Sequence, residues 1–410
     1  MCTVYATELE VDNFQYDNGP VDHARADIPG TIANALLKSS DGDTITLTAN
    51  SPYYLSNKIV IDKLGINFRG NATTHPLQKI VLNSSIIRDT VIFIKKGGST
   101  NLNQLIISNV VIDGNFQANS IIKSCAPNNN PLHPCYKLYG KYIKIDNSTL
   151  INAGNHILVM TQNRNIVVSN SILGNAGIAG TSCSVANKTI QCRECQGEIR
   201  SNDPSYTQGA AIHVVGSAGV TIFKNYIKNT RTAGINITDT LNSWVIENNI
   251  QCVGLNGPGR LNLAPTADGI TGYHNDALAL IPELSKYYSK EKLERCYRQH
   301  DKASCPKQNW YIDKNIISNS GNAGIHVSGH AIFIRYNQIS NADNSGINLG
   351  DQREKEGLGA EISTDSKIIN NTFSCPGQYH RWAKSIDLNH YDSKSVVVSP
   401  NSTSTATPCN

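Results

Sequence analysis

The chain has 410 residues, of which 17% are charged, and its 36 basic and 32 acidic side chains give a formal net charge of +4. An excess this small permits an acidic polymer as a partner. Because no run of lysine or arginine occurs, nucleic-acid binding is not expected. No apolar stretch reaches the length needed to cross a bilayer, so the sequence predicts no membrane span.

The N-terminal part of the chain divides into two segments. Residues 1–28 are polar and show no clear period, so we expect an irregular lead-in. After Pro29-Gly30-Thr31, apolar residues recur at helical spacing at Ile32, Ala35 and Leu36. This spacing predicts a short amphipathic helix that caps the open end of the following domain, where strand edges would otherwise be exposed.

Residues 29–410 are interpreted as one repetitive domain, with Thr44–Leu47 as its first strand. The stretch Ile212–Asn225 and its near-copy Ile235–Asn248 belong to a repeat of 22 to 23 residues. Each unit contains short runs of alternating apolar residues, which predict strands separated by turns. One unit cannot bury its apolar face alone, so the repeat predicts stacked coils with isoleucine and valine inside.

Asparagines mark one turn of this repeat. Stacked at that turn, their side-chain amides are expected to pass hydrogen bonds from coil to coil and to satisfy buried turn backbone. Asn147 is an exception, because its apolar neighbours are shifted by one residue. Seven asparagines have isoleucine or valine three residues earlier, namely Asn109, Asn170, Asn225, Asn248, Asn315, Asn337 and Asn371.

Between about Thr44 and Ser399 these features resemble the right-handed parallel β-helix proteins, the pectin-lyase-like group. The resemblance implies an all-β fold, a single-stranded right-handed parallel β-helix of roughly twelve coils with an asparagine ladder. With the predicted N-terminal helix it would be a capped rod. The resemblance specifies the fold, whereas any chemistry has to be argued from the site.

Five insertions interrupt the repeat. The fourth of them carries the second predicted helix, Pro282–Gln299. All five fall just before or just after one strand of the coil, which reads Gly-Ile-x-Ile in several copies. Loops on both sides of one strand stack would form a trough, which is the expected binding site, and a long trough suits a polymer. The insertions span about residues 124–138, 176–209, 252–268, 277–308 and 351–364.

In the Gly-Ile-x-Ile strand the isoleucines point inward, so the residue x points out of the coil. The expected ligand in the trough is a polysaccharide or an oligosaccharide. Stacking the copies predicts an outward row of His213, Asn236, Thr271, His326, Asn348 and Asp387. The candidate substrate-binding residues are His213, Asn236, Asn348 and Asp387 from this row, with His330, Asp351 and Arg353 close behind it.

The richest group of ionisable residues is the segment from Asp268 to Asp276, which reads DGITGYHND. Gly272, Tyr273, His274 and Asp276 resemble the tyrosine/phenylalanine-Gly-Phe-Asp-Pro-His-Asp motif of alginate epimerases and related lyases. The resemblance implies that this segment carries catalytic residues for a uronate polymer.

Two enzymatic mechanisms fit the trough. In β-elimination or C5-epimerisation of a uronate, a base removes the proton beside the carboxylate. His274 or His326 is the predicted base and Tyr273 the predicted acid. A cation would neutralise the carboxylate during this step. The candidate ligands for a Ca²⁺ ion are Asp239, Asp268 and Asp276.

The alternative enzyme is a glycoside hydrolase or a glycosyl transferase, for example a fructosyl transferase, which would use paired aspartates. Asp239 with Asp268, on neighbouring coils, is one candidate pair, and Asp351 with Asp387 is another. A third interpretation is a non-catalytic glycan-binding rod, which predicts no acid–base pair. We prefer a lyase or epimerase because the trough contains histidine and tyrosine.

The cysteines indicate an oxidising compartment. Val4-Tyr5-Ala6 has the small-residue spacing of a signal-peptide cleavage site, so we expect Cys2 to be removed and ten of the eleven cysteines to remain. We therefore expect a secreted protein, extracellular or periplasmic. The predicted disulfides join Cys125 to Cys135, Cys296 to Cys305 and Cys375 to Cys409.

Overall fold

The fold is built from three sheets of parallel strands. Successive coils pass through sheet 1, sheet 2 and sheet 3 in that order, which is the arrangement of a parallel β-helix. The largest sheet has 12 strands, which agrees with the predicted number of about twelve coils. The computed structural model describes residues 6–12, 15–16, 19–49, 52–71, 73, 77–124, 141–177, 209–254, 267–273, 289, 291–292, 295, 307–350, 363–375, 384–389, 391 and 393–404.

The strands are short and lie in register along the axis of the rod. Sheet 1 contains Glu8–Val11, Thr44–Leu47, Asn67–Gly70, Leu105–Ser108, Lys141–Asp146, Arg164–Ser169, Ala218–Phe223, Leu241–Ile246, Trp310–Asp313, Ile332–Arg335, Lys367–Ile369 and Val397–Val398. Sheet 2 contains Tyr53–Leu55, Gln78–Leu82, Val110–Asp113, Thr149–Ala153, Ile172–Ala176, Tyr226–Thr230, Asn249–Val253, Ile316–Ser320, Gln338–Ala342, Thr372–Ser374 and Ser402–Ser404. Sheet 3 contains Ile59–Ile61, Arg88–Ile94, Ala118–Ser124, Leu158–Thr161, Ile212–Val215, Ile235–Asn236, Ile270–Gly272, Ala323–Val327, Ser345–Leu349 and Lys384–Leu388. A separate antiparallel pair joins Gln15–Tyr16 to Gly19–Pro20.

The core is a set of apolar columns inside the rod, because the same strand position recurs on every coil. In sheet 1 one column starts at Ile45 and ends at Ile368, and each of its ten members is fully buried. Stacking at the strand spacing of about 4.8 Å leaves no room for a polar side chain in such a column. The column contains Ile45, Phe68, Ile107, Ile145, Val168, Ile222, Val245, Ile312, Ile334 and Ile368.

The predicted asparagine ladder is present at the turn between sheet 1 and sheet 2. Each buried asparagine donates its amide to the side-chain oxygen of the next one and to a backbone carbonyl, as Asn337 does to Asn371 (2.9 Å) and Ile312 (2.8 Å). The ladder runs one step further than predicted, because Asn371 donates to Asn401 at 3.0 Å. Its members are Asn225, Asn248, Asn315, Asn337, Asn371 and Asn401.

Two of the seven predicted ladder members are misplaced by one residue. Asn109 and Asn170 have φ of 57° and 51°, so they occupy the left-handed position of the turn that precedes the inward ladder position. Asn147 also lies there, with φ of 45°, and donates to Asn109 at 2.7 Å, so the shift of one residue predicted for Asn147 is confirmed and applies to Asn109 and Asn170 as well. Asparagine is favoured both in left-handed turns and as an amide ladder, and spacing alone does not separate the two roles.

The N-terminal helix is confirmed as helix α1, Ile32–Lys38. The side chain of Thr31 caps it by accepting a hydrogen bond from the Asn34 amide at 3.1 Å, and Ile32, Ala35 and Leu36 are buried against the first coil. A capping threonine satisfies one of the free N–H groups at the helix start. The helix therefore covers apolar interior that the first coil would otherwise expose.

The expectation of an irregular lead-in over residues 1–28 is wrong for Glu8–Val11. This strand pairs with Thr44–Leu47, which is therefore the second strand of sheet 1 and not the first. Val11 is fully buried and Leu9 packs against the same core. A four-residue alternation inside a polar segment is too short to stand out in the sequence, and the neighbouring strand edge decides its structure.

The predicted insertions lie largely outside the described residues, but their endpoints support a trough beside sheet 3. The first leaves from Ala118–Ser124, the second enters Ile212–Val215, and the fifth leaves from Ser345–Leu349. The third and fourth enter and leave Ile270–Gly272, so both flank a single strand. Most of the second predicted helix lies outside the described residues, and so does at least one cysteine of each predicted disulfide. The helix and the disulfides therefore stay predictions.

The ladder makes a prediction about stability. Replacing Asn337 with alanine removes the acceptor of the buried Asn315 amide and should lower the free energy of unfolding by about 2–4 kcal/mol. The exposed neighbour Gln338 is the matched control, and Gln338→Ala should change it by less than about 0.5 kcal/mol. Urea unfolding measures both, and equal effects would contradict the structural role of the ladder.

A second prediction concerns acid sensitivity. His23 is 1% exposed, and burial lowers its pKa from the ordinary 6.5 to about 4. Between these values the unfolded chain binds a proton that the folded chain does not, so stability is complete above pH 6.5 and falls as the pH drops towards 4. His23→Gln should reduce this fall by up to about 3 kcal/mol, measured by urea unfolding at several pH values. An unchanged pH slope in the variant would contradict the assignment.

A candidate active site on sheet 3

The outward row predicted for sheet 3 is aligned in register. His213 pairs with Asn236, Asn236 with Thr271, and Thr271 with His326. The row continues from His326 to Asn348 and from Asn348 to Asp387. Polar side chains therefore occupy six consecutive rungs of one sheet face.

Three side chains of the row and its borders form a polar cluster. The Tyr273 hydroxyl lies 3.0 Å from Nδ1 of His326, and the two rings meet edge to face at 5.2 Å. Oδ2 of Asp268 lies 3.4 Å from the same nitrogen. Asp268 is fully buried and the His326 side chain is 12% exposed, so the histidine lies between a buried carboxylate and a tyrosine hydroxyl. We call these three residues the Tyr–His–Asp cluster.

Asp268 is held in place by the neighbouring coil. Its Oδ1 accepts hydrogen bonds from the Asn322 side chain (2.8 Å) and the Ala323 backbone (2.9 Å). Its Oδ2 has no hydrogen-bond partner among the described residues and faces His326. A carboxylate fixed in this way also fixes the orientation of the imidazole that it faces.

The local sequence explains why Tyr273 reaches the cluster. It follows the three-residue strand Ile270–Gly272, whose Gly272 packs directly over the buried Trp310. A Cβ at Gly272 would lie 2.8 Å from the Trp310 ring, so this position has to be glycine for the strand to pack closely. Because glycine allows this close packing, the strand keeps its register and Tyr273 lies one coil before His326.

A second pair of side chains lies at the N-terminal part of the row. The rings of His156 and His213 stack in parallel, with centroids 4.4 Å apart and an interplanar angle of 14°. Burial lowers the pKa of His213 to about 4, and burial together with the neighbouring His213 holds the pKa of His156 well below its usual range. Both imidazoles are therefore uncharged at neutral pH.

The C-terminal end of the row is an amide and carboxylate network. Asn389 donates to the side-chain oxygens of Asn348 (3.0 Å) and Asp387 (3.2 Å). Near the middle of the row, Asn236 accepts two hydrogen bonds from Thr238. These groups can meet sugar hydroxyls, but their binding role stays a prediction.

Two further predicted site residues, His330 and Asp239, are buried beside the outward row. Nδ1 of His330 lies 2.6 Å from the Thr364 hydroxyl. The backbone N–H of Asp239 donates to the Tyr273 carbonyl at 2.8 Å, while Asp268 lies on the turn that enters the strand Ile270–Gly272. The pairing of Asp239 with Asp268 across a glycosidic bond stays a prediction.

The predicted Ca²⁺ site includes Asp276, which lies outside the described residues, so the site stays a prediction. Of its other two ligands, Asp268 already accepts hydrogen bonds at Oδ1 from Asn322 and Ala323. Within the described ranges no group of three or more His, Cys, Asp or Glu side chains could hold a metal ion.

Several predicted site residues lie outside the described residues, namely His274, Asp276, Asp351 and Arg353. Conversely, the structure places His156 and Asn322 in the site, and the sequence analysis did not identify them. Both sit on turns next to a Gly-Ile-x-Ile strand. Extending the stacked comparison to four residues upstream of x would have found them.

The comparisons with known proteins support the fold. No family model and no curated protein matches the sequence. Among solved structures, the endo-xylogalacturonan hydrolase from Aspergillus tubingensis is similar with a TM-score of 0.51 at 12% identity, over 95% of each chain. The Azotobacter vinelandii mannuronan C-5 epimerase AlgE4 A-module is similar at 12% identity over 92% of this chain and 91% of that one, with a TM-score of 0.45.

A third similar structure is a Geobacillus virus E2 protein, ORF18, at 11% identity and a TM-score of 0.42. This chain spans 57% of its length, and the match covers 89% of this chain. The three parallel sheets and the similarity to the xylogalacturonan hydrolase structure show that the protein has the right-handed parallel β-helix fold. In the part of the chain that the structure describes, no helix is long and apolar enough to cross a membrane.

The anchoring of Asp268 can be tested by stability. Asp268→Ala leaves the Asn322 amide and the Ala323 N–H without their acceptor and should lower the free energy of unfolding by about 2–4 kcal/mol. Asp268→Asn keeps an acceptor oxygen, so it should cost clearly less. Urea unfolding distinguishes the two variants. Equal losses would mean that the acceptor bonds do not hold this turn.

Proposed function

We propose that the protein is a carbohydrate-active enzyme that binds a uronate polymer along the trough and acts by β-elimination or C5-epimerisation. The observation that carries the proposal is the Tyr–His–Asp cluster on the outer face of sheet 3. Both reactions need a group that removes the proton beside the sugar carboxylate and a group that delivers a proton. A hydrogen-bonded tyrosine and histidine provide such a pair.

The geometry gives each residue a role. Because the Tyr273 hydroxyl and His326 Nδ1 are 3.0 Å apart, a proton taken by one can pass to the other. His326 acts as the base and Tyr273 as the acid. Asp268 is a positioning residue, since its carboxylate faces Nδ1 and stabilises the imidazolium formed when His326 accepts a proton.

In β-elimination, the proton leaves the carbon beside the carboxylate, a double bond forms, and the bond to the leaving oxygen breaks. The proton received by His326 is balanced by the proton that Tyr273 gives to the leaving oxygen. In epimerisation no bond to oxygen breaks, and a proton returns to the same carbon from the opposite face. His274 is an alternative base in this scheme and remains a prediction, as do Asp276 and Arg353 as partners of the substrate.

A polymer fits this site better than a small molecule, because polar outward residues continue over six rungs of sheet 3. We also propose that the protein is secreted, which suits an enzyme whose substrate is an extracellular polysaccharide. Hydrolysis would use a pair of carboxylates, either Asp239 with Asp268 or Asp351 with Asp387. We treat hydrolysis as an outcome of the test and not as part of the proposal.

The test is a screen of pectate, alginate and glucuronan with wild-type protein. Unsaturated uronate ends, detected by ultraviolet absorbance, indicate elimination, and a change in the C5 proton signals in NMR spectra indicates epimerisation. Tyr273→Phe should lower kcat by about 10²–10⁴ while leaving unfolding unchanged. Tyr311→Phe, the same substitution on the outer face of sheet 1, is the matched control and should retain wild-type kcat.

Two results would overturn the proposal. New reducing ends without unsaturation would show a hydrolase, and wild-type turnover in Tyr273→Phe would remove the cluster from the chemistry. Glycan binding without any product would favour the passive rod.

A further inference from the structure

Two columns of stacked positions contribute to the Tyr–His–Asp cluster, namely the turn that enters sheet 3 and the outward row of sheet 3. The same two columns contain a second pair of polar side chains. Asp268 lies on the turn that enters sheet 3, and His326 lies on the outward row one coil further on. His156 and His213 occupy the same two columns, again one coil apart. Between these heights the turn column contains Ala210 and Ala233. The arrangement is thus built twice, three rungs apart, once with a carboxylate and once with a second imidazole.

We infer that His156 and His213 form a separate binding subsite of the trough, which takes the hydroxyl groups of an uncharged part of the glycan. The inference rests on the proposed function, because it assumes a glycan in the trough. Three rungs separate His213 from His326, which corresponds to ~14 Å along the rod. The subsite therefore contacts a different sugar unit from the one that reacts.

The hydrogen bonds of the pair point to this ligand. Nδ1 of His156 accepts from the Ala210 backbone N–H at 3.1 Å, so in the neutral ring the proton is on Nε2, which is a donor. Nδ1 of His213 is buried and has no hydrogen-bond partner among the described residues. A buried polar atom without a partner is rare in a finished core. A sugar hydroxyl can both donate and accept, so it matches either tautomer of His213.

The electrostatics exclude the carboxylate of a uronate as the main contact. Both imidazoles are uncharged at neutral pH. The nearest cation on the row, Lys123, is two rungs before His213 and its Nζ pairs with both carboxylate oxygens of Asp89 at 3.1 Å. A carboxylate at this height would lose its hydration without gaining a free positive charge from the described residues. Hydroxyl groups carry no such cost.

The position of the pair also suits a ligand and not only the core. His213 is part of the outward row and remains partly exposed, whereas the inward neighbours Ile212 and Val214 are fully buried. The second predicted insertion ends just before the strand that contains His213, and the third ends just before the strand two coils further on. We therefore place the subsite in the same predicted trough as the cluster.

The experiment measures binding in the Tyr273→Phe background, so that turnover does not consume the probes. Galacturonate and mannuronate hexasaccharides, their carboxyl-reduced forms and the matching disaccharides are titrated by calorimetry. Replacing His213 with alanine should weaken binding of the hexasaccharides about three- to tenfold, equally for native and carboxyl-reduced forms. Disaccharide affinity should not change, since a disaccharide at the cluster does not reach ~14 Å away.

The control is Thr221→Ala on the outer face of sheet 1 in the same coil, which should bind like the parent. The NMR shifts of the His156 and His213 ring nitrogens in the parent protein provide a second readout that needs no variant at His213. The hexasaccharide should change these shifts, whereas the disaccharide should not. If His213→Ala binds hexasaccharides as tightly as Thr221→Ala, the subsite is overturned while the proposed function stands. If no saccharide binds to any variant, both proposals fail.

Discussion

Parallel pairing between successive coils is the interaction on which the whole structure depends. Each strand hydrogen bonds to the strand one coil earlier and one coil later, so a residue has the same neighbours along the axis on every turn. This register turns a linear repeat into columns. Apolar columns such as Ile45 to Ile368 fill the interior, and amides at one turn bond to each other from Asn225 to Asn401. Because burying an unpaired amide is costly, the ladder also opposes a shift of one residue between coils.

The same register creates the candidate site. Asp268 and Tyr273 lie on one coil and His326 on the next, 58 and 53 residues further along the chain, respectively. They meet because the long insertion between them does not disturb the pairing of Ile270–Gly272 with Ala323–Val327. A rigid stack therefore places the candidate site's side chains accurately, while the sequence of connecting segments can vary. This is how one rod can bear both a stable core and a reactive surface.

Polar groups have two roles in this protein, and their environment distinguishes them. In the asparagine ladder every amide has its partners inside the rod. On sheet 3 one oxygen of Asp268 and one nitrogen of His213 are buried without a hydrogen-bond partner among the described residues. Unsatisfied buried groups reduce stability, so their presence on the outward face is understandable where a ligand completes them. The cluster contains a carboxylate, whereas the histidine pair is neutral, so the two parts of the outward row differ in chemistry.

The sequence by itself determined the period, the coil and the outward row, because each depends on spacing that repeats. It also identified the capping helix from Thr31 and the apolar positions after it. Only the tertiary structure separated the left-handed asparagines Asn109, Asn147 and Asn170 from the inward ladder, because one residue type suits both positions. It likewise showed that Asp268 lies beside His326, a contact that the sequence analysis did not propose. The repeat predicts which residues stack along the rod, because stacking follows the strand register. It does not predict where each strand begins, and this decides where a residue lies around the coil.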